Sequence, residues 1–215
     1  MLEKAEELSH AKNVMTIPKE LFEKCKGICL ISIVEVGFIF SGNVGTGIIL
    51  AKNEDGSWSK PVACGLTGVG WGFLVGGSVK ETMIFIMDDN SMEGMSSDKG
   101  LKIGGQLELT VGPWGRSGRF DLGLGTKGAS GTVAIAMSMG AFLGVNIHGS
   151  AVGARDAVNA SFYGKEVTPR QIMYGDEVSM PEGKETKINE VYEKLKNLTE
   201  AAPKTEEGDK AEAEK

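Results

Sequence analysis

The chain has 215 residues, 41% hydrophobic and 24% charged, which is the range of one folded domain with appendages. A formal net charge of -6 gives no general attraction to phosphate, and no basic run is long enough to replace it, so nucleic acid is excluded as a partner. Glycine, at 31 residues, stands at about twice its usual ~7% but without a G-X-Y period, which excludes collagen and points to crowded strands and turns.

Leu2, Ala5 and Leu8 are spaced by three, one face of a short, slightly acidic helix over residues 1–12. That segment is charged and has no apolar h-region, so no secretory signal is expected there. Ile17-Pro18 opens a second helix with Pro18 at its first position, Leu21, Phe22 and Cys25 along one face, and Gly27 as its stop. Residues 1–26 are therefore expected as N-terminal helices, with Lys19, Lys24 and Lys26 in excess of Glu20 and Glu23. The three cysteines, Cys25, Cys29 and Cys64, leave an odd thiol under any pairing, and Cys25 and Cys29 lack the second pair or histidine of a metal site. A reducing compartment fits that usage.

From Gly27 the period changes to two. Ile28 to Val34 is an apolar run of strand length, and Phe38-Ile39-Phe40 and Ile48-Ile49-Leu50 flank Ser41, Gly42, Asn43, Gly45 and Gly47, which reads as a hairpin. Asn53-Glu54-Asp55-Gly56 is a second turn, because Asp-Gly supplies the positive φ of a tight reversal. Pro61 to Val79 and Gly128 to Ala154 contain no charged side chain and are long enough to cross a bilayer as helices. Their alternation argues for strands instead: Val69, Trp71, Phe73 and Val75 alternate with Gly70, Gly72 and Leu74, and Val133, Ile135, Met137 and Met139 with Ala134, Ala136 and Ser138.

Asp88 to Gly100 is acidic but lacks the ligand spacing of an EF-hand, so a solvated loop or short helix is expected. Ile103, Leu107, Leu109 and Val111 then mark a strand with one wet face, and Phe120, Leu122 and Leu124 mark another after a turn at Gly112-Pro113-Trp114-Gly115. Arg116, Arg119 and Lys127 follow that turn and form the best local positive patch, beside Trp114. After Gly153, Arg155 to Tyr163 reads as a helix ended by Gly164, and Thr168-Pro169 caps a short one through Tyr174. A linker and an amphipathic helix with Ile188, Val191, Tyr192, Leu195 and Leu198 fill residues 176–200, and 201–215 read as a disordered acidic tail.

No Gly-x-Gly-x-x-Gly opens a helix after a strand and no P-loop occurs. His10 and His148 have no partner at triad or metal spacing. Glu35 interrupts an apolar run, with Lys80 or Arg155 as conceivable partners, and the plainer account places it in solvent at a strand end. The expectation is a protein without catalysis, cofactor or metal.

The ordered motifs carry a resemblance. Ile17-Pro18, Lys26-Gly27-Ile28, Gly37-Phe38-Ile39-Phe40-Ser41-Gly42 with Gly45-Thr46-Gly47, and Asp55-Gly56-Ser57-Trp58-Ser59-Lys60-Pro61 are followed by Gly68-Val69-Gly70-Trp71-Gly72. Gly112-Pro113-Trp114-Gly115-Arg116, Lys127-Gly128, Ser138 to Val145, Phe162-Tyr163-Gly164-Lys165 and Ile172 to Gly175 complete the series. In that order, over residues 17–175, the chain resembles the SYLF domain family, the Ysc-type actin-binding or Las-binding domain. The resemblance implies a SYLF-like β domain over 27–175 with closing helices, in which Gly37, Phe38, Ser41, Gly42, Gly45, Gly47, Trp58, Gly112, Pro113, Gly115, Phe162, Tyr163 and Gly164 keep the family's structure.

It also implies a membrane-associated, non-enzymatic module that binds phosphoinositides, with endocytic or endosomal trafficking as its setting. The expected position is cytoplasmic, peripheral at endosomal or plasma membrane, without a transmembrane segment. Actin, or an actin-regulatory protein, is the alternative partner, in the cortical cytoskeleton. The short acidic first helix departs from the family's lipid-binding N-terminal helix, so lipid contact is assigned to Lys19, Lys24 and Lys26, then to Arg116, Arg119 and Lys127. A small hydrophobic-ligand carrier is a third possibility, since glycine-lined alternating strands close around pockets in other folds. The fold class expected is α+β, an antiparallel, glycine-rich barrel-like or strongly bent β-sheet with flanking N- and C-terminal helices.

Overall fold

A straight strand of 25 residues is roughly 85 Å long, several times the radius of gyration of roughly 17 Å that a chain of this size takes up. Strands of that length are nevertheless what the chain forms, so they must bend. The computed structural model describes residues 17, 19–97, 101–111, 114–125 and 128–201, with 71–75 and 101–149 described through their backbone. In order they are α1 (Lys19–Lys24), β1 (Gly27–Ala51), β2 (Val62–Ile86), α2 (Asp89–Ser96), β3 (Leu101–Val111), β4 (Trp114–Gly125), β5 (Gly128–Ala154), α3 (Asp156–Tyr163), α4 (Pro169–Tyr174) and α5 (Glu185–Ala201).

Every ladder is antiparallel, in the order β1-β2-β5-β3-β4. β3 and β4 lie end to end along one edge of β5: Leu101 to Val111 face Val152 to Leu143, and Trp114 to Gly125 face Met139 to Gly128. The sheet is thus four strands wide, and among the described residues no ladder joins β1 to β3 or β4, so it stays open. The α+β class with flanking helices is as expected, in its strongly bent form.

The bend folds the sheet into two layers. The N–H of Lys52 donates to the carbonyl of Lys26 at 2.8 Å, so the chain just before β1 touches the chain just after it. Reversal occurs where the β1–β2 register slips between Phe38, opposite Val75, and Phe40, opposite Trp71. There Ile39 has φ of 67° and Gly76 φ of 136°; the first is rare for a β-branched residue and the second suits glycine alone. The β3–β4 line doubles in the same way, since Lys102 pairs with Leu124 and Ile103 with Gly123.

The hairpin expected between Phe38–Phe40 and Ile48–Leu50 is instead one bent strand. Gly45 and Gly47 serve close approach rather than a turn. A Cβ at Gly47 would collide with the Leu30 carbonyl and come within 2.7 Å of the Ile31 Cα, and one at Gly45 would lie 3.0 Å from Ile33 Cγ1. β3 and β4 follow one another along β5, and because they also pair with each other in antiparallel sense, Lys102 with Leu124 and Ile103 with Gly123, the chain reverses between Val111 and Trp114, where the sequence places a turn. The Asn53–Ser57 turn does form: Gly56 has φ of 84°, and the Asp55 carboxylate accepts from the Ser57 hydroxyl at 2.6 Å and its N–H at 2.8 Å. Those bonds hold the Asp55 carboxyl below its usual range.

Near the Gly27 end the space between the layers is filled by Cys29, Ile31, Ile33, Ile84 and Ile86 from one layer and Ile49, Val62, Cys64, Leu66 and Val152 from the other. Met92 and Met95 of α2 and Ile172 and Met173 of α4 join that core. The Cys29 and Cys64 thiols meet across the layers at 3.6 Å; that bond, with burial, raises Cys29 well above the usual thiol range. Burial likewise pushes Cys25 up to about 11, so both are poor nucleophiles at neutral pH.

On the outer side, Phe22, Cys25, Ile28, Leu50, Met83 and Phe85 pack with Ile188, Leu195 and Leu198 of α5, which confirms the helical stripe read from the sequence. The Lys52 ammonium donates to the Phe22 and Glu23 carbonyls at 2.7 and 2.9 Å, satisfying the C-terminus of α1. Residues 1–16, Pro18 and 202–215, where the first helix and acidic tail are expected, lie outside the described residues.

If the glycines permit layer contact, Gly47→Ala costs about 2 kcal/mol or more in urea unfolding, whereas Gly42→Ala, with nothing within 4 Å of the new Cβ, stays within about 0.5 kcal/mol of the parent. Equal effects at the two positions would contradict the doubled sheet.

Candidate functional site

The basic residues read from the sequence lie on two segments. On α1, Lys19 pairs with Glu23 at 3.5 Å and Lys24 is exposed in the last turn. Just beyond, the Lys26 ammonium lies 3.4 Å from Asp89, tying the start of β1 to the start of α2. Exposed pairs of this kind are worth at most about 1 kcal/mol and leave the ammonium groups solvated. In β4 the backbone of Arg119 stands opposite Ala134, Ala134 opposite Ile84, and Ile84 opposite Cys29. The ladder therefore carries Arg119 to within three residues of Lys26 along the strand, and three strand spacings across, roughly 14 Å.

Arg116 is three residues further from that end, in the row Met137, Glu81, Ser32. Lys127 lies outside the described residues, between Gly125 and Gly128, which pair with each other. The fold thus brings α1 and the β4–β5 connection, far apart in sequence, to the Gly27 end of the sheet. Nothing in the sequence pattern alone located them there, because the strand order decides it.

Away from that end the space between the layers turns polar. Glu35 and Lys80 are 1% and 2% exposed and form an ion pair with each other. Glu35 is therefore no solvent-facing strand end. The parity of the strand carries the missed signal: Cys29, Ile31, Ile33 and Glu35 share one face, and three of those four are core. Ser41, Asn43, Ser78 and Thr82 are buried in the same region. Among the described residues Asn43 Oδ1, Ser78 Oγ and Thr82 Oγ1 find no hydrogen-bond partner.

The positions matched to the SYLF pattern fall in several places. Gly37 stands opposite Gly76 at the bend, Phe38 is exposed there, Ser41 is buried, and Gly42 is open. Gly45 and Gly47 face the other layer. Trp58 pairs with Lys52 and packs half-buried on the outer cluster. Gly115 is in β4 opposite Ser138, while Gly112 and Pro113 lie outside the described residues.

The last group straps α3 to β2. Asn159, 1% exposed, accepts from the Ala63 N–H at 2.7 Å and donates to the Ala63 carbonyl at 3.2 Å. The Tyr163 hydroxyl donates to the Pro61 carbonyl at 2.7 Å, Phe162 stacks edge-on against Tyr163, and Gly164, with φ of 70°, ends the helix. Burial, with the Tyr192 hydroxyl adding to it, raises the Tyr163 phenol above its usual range. Beside α3 are two open depressions, of about 380 Å³ against Glu166 and Gln171 and about 410 Å³ against Gly45, Leu66 and Arg155. Both open to solvent, and side chains fill the space between the layers near the Gly27 end.

Comparison with known proteins matches residues 67–198 to the model of the Ysc84 family, described as Las17-binding protein actin regulator. The chain belongs to the Ysc84 family. Protein YSC84 of Saccharomyces cerevisiae is 33% identical over 159 residues, 74% of this chain and 34% of that protein. SH3 domain-containing YSC84-like protein 1 of Bos taurus is 33% identical over 184 residues, 86% of this chain and 52% of that protein. LAS seventeen-binding protein 3 of S. cerevisiae strain YJM789 is 33% identical over 159 residues, 74% of this chain and 35% of that protein. The chain spans from about a third to a half of the length of these curated relatives. The family is described by Las17 binding and actin regulation, and one relative is named for binding LAS seventeen; neither description is of an enzyme.

The strap makes a distinct demand on stability. Asn159→Ala takes the partner from the Ala63 N–H, while the Ala63 carbonyl keeps the Arg155 N–H at 2.9 Å, and is expected to cost about 2 kcal/mol in chemical denaturation, against about 1 kcal/mol for Tyr163→Phe. Unchanged stability in Asn159→Ala would remove the strap.

Proposed function

We propose that this member of the Ysc84 family is a non-enzymatic module of the cortical actin machinery that works at a membrane surface, as a peripheral protein of the endosomal or plasma membrane. In this reading its Gly27 end contacts phosphoinositide headgroups, and its other surfaces meet an actin-regulatory protein or actin itself. The observation that carries the headgroup contact is the gathering, by the β1-β2-β5-β4 ladders, of Lys26 and Arg119 at one end of the sheet, with Lys19 and Lys24 on the adjoining helix. Cations near an anionic lipid surface contribute about 1 kcal/mol each. The actin side of the reading rests on the family description and on the relatives' names.

Vesicle sedimentation separates these parts. Binding to phosphatidylcholine vesicles containing phosphoinositide is expected to exceed binding to phosphatidylcholine alone, to fall with salt, and to drop about fivefold for each of Lys24→Glu and Arg119→Glu. No excess over neutral vesicles would remove headgroup recognition. Co-sedimentation with actin filaments tests the other part, and failure to pellet at low salt would leave an actin-regulatory protein as the partner.

A further inference from the structure

The opposite end of the sheet, at the bend, has its polarity inverted, and we infer that this bent tip inserts into the interface of a lipid membrane. Near Gly27 the layers are built as in a water-soluble protein: apolar side chains fill the space between them, and the outer face, Ile28, Leu50, Met83 and Phe85, is covered by α1 and α5. Beyond Ile33 both faces change. The inward positions become Glu35, Ser41, Asn43, Ser78 and Lys80, all buried. The outward positions become Val34, Val36, Val44, Val69 and Val79, with Phe38, Ile39 and Phe40 on the bend itself, and no described element covers them. Phe38 is 70% exposed, Phe40 71% and Val69 75%.

Three features select lipid over a protein partner. The apolar surface wraps the tip, since Val34, Val36 and Val79 lie on the outside of one layer, Val44 and Val69 on the outside of the other, and the phenylalanines at the end. One docked protein covers one side, whereas a membrane interface surrounds the tip. Next, residues 34–46 and 66–79 contain a single charged residue, Glu35, and it is turned inward onto Lys80. Among the described side chains the tip therefore presents no outward charge to be desolvated. Last, a second copy pairing along the free edge of β1 would satisfy that edge but leave Val69, on β2, uncovered.

The free edge also sets the depth. Among the described residues β1 pairs on one side only, with β2, and the N–H and C=O groups of its other edge exclude it from the centre of the hydrocarbon, where each would go unsatisfied. The apolar part of the tip, from Val34 to Phe38, climbs roughly 13 Å, which suits an immersion of about 5–10 Å at the headgroup–acyl boundary. This inference goes beyond headgroup recognition and does not rest on it. The basic end lies roughly 35 Å of strand away, at Gly27.

The test uses the full chain and vesicles of phosphatidylcholine alone. The native thiols are all buried, so a cysteine introduced by Phe40→Cys labels selectively with an environment-sensitive dye. Its emission is expected to move to shorter wavelength with vesicles, and a quencher attached high on the acyl chain should quench it more than one near the bilayer centre. Phe38→Asp with Phe40→Asp, at exposed positions, should keep the parent's unfolding midpoint and lower flotation with these vesicles at least about tenfold. An unshifted dye, or flotation unaffected by the double substitution, would overturn the insertion. So would a dimer in sedimentation velocity that the double substitution converts to monomer, because the tip would then be a contact between copies. A protein that binds neutral vesicles but shows no phosphoinositide excess keeps the insertion and loses only the headgroup reading.

Discussion

Everything in this fold depends on β1 returning to its own starting point. The ends of the strand come together at the hydrogen bond from Lys52 to Lys26, and a two-layered core exists only because they do. Backbone has to approach backbone there, and Gly47 against Leu30 is the closest place. A side chain at that position would hold the layers apart along the whole Gly27 end. Ile33, Cys29 and Cys64 would then lose the contacts that an apolar interior needs, since a gap of an ångström forfeits much of the dispersion energy.

Doubling a sheet also fixes which face is inside, and here the two ends answer differently. A strand has only two faces, and its parity runs unbroken from Cys29 to Glu35. The inside that is oily at Cys29 is ionic at Glu35. Two charges taken out of water gain little net stability from their attraction, but removing one partner of such a pair costs about 3–5 kcal/mol. The Glu35–Lys80 pair is thus better understood as fixing how the layers meet than as a source of stability. It also keeps charge off the outside of the tip. The same bend therefore yields an interior of conventional polarity at one end and, at the other, a surface suited to an apolar medium.

Much of this was legible in the chain. The period of two identified the strands, Asp55-Gly56 the turn that forms, Thr168-Pro169 a helix start, with its capping box to Gln171 present, and the stripe from Ile188 to Leu198 a docked helix. Strand order was not legible, because ladder partners such as Lys80 and Ser138 share no local pattern. The glycines after Phe40 misled for a physical reason: a glycine that permits a turn and one that permits close approach look the same in sequence. Glu35 misled because burial of a charge depends on a partner 45 residues away. Membership of the Ysc84 family was carried by the order of short motifs, and the Asn159 strap, outside those motifs, went unnoticed.

The proposed function at membranes rests on two ends with different chemistry, cationic near Gly27 and apolar at the bend, held apart by the stiffness of paired strands. Both assignments stand on the doubling of β1. The most direct measurement of it is the nuclear Overhauser contact between Gly47 and the Leu30–Ile31 pair in solution. The account predicts strong contacts there, together with the cross-strand contacts of Gly47 to Cys64 and Leu30 to Met83. Intact cross-strand contacts without any between Gly47 and Leu30 or Ile31 would show a ribbon that does not fold back, and would contradict it.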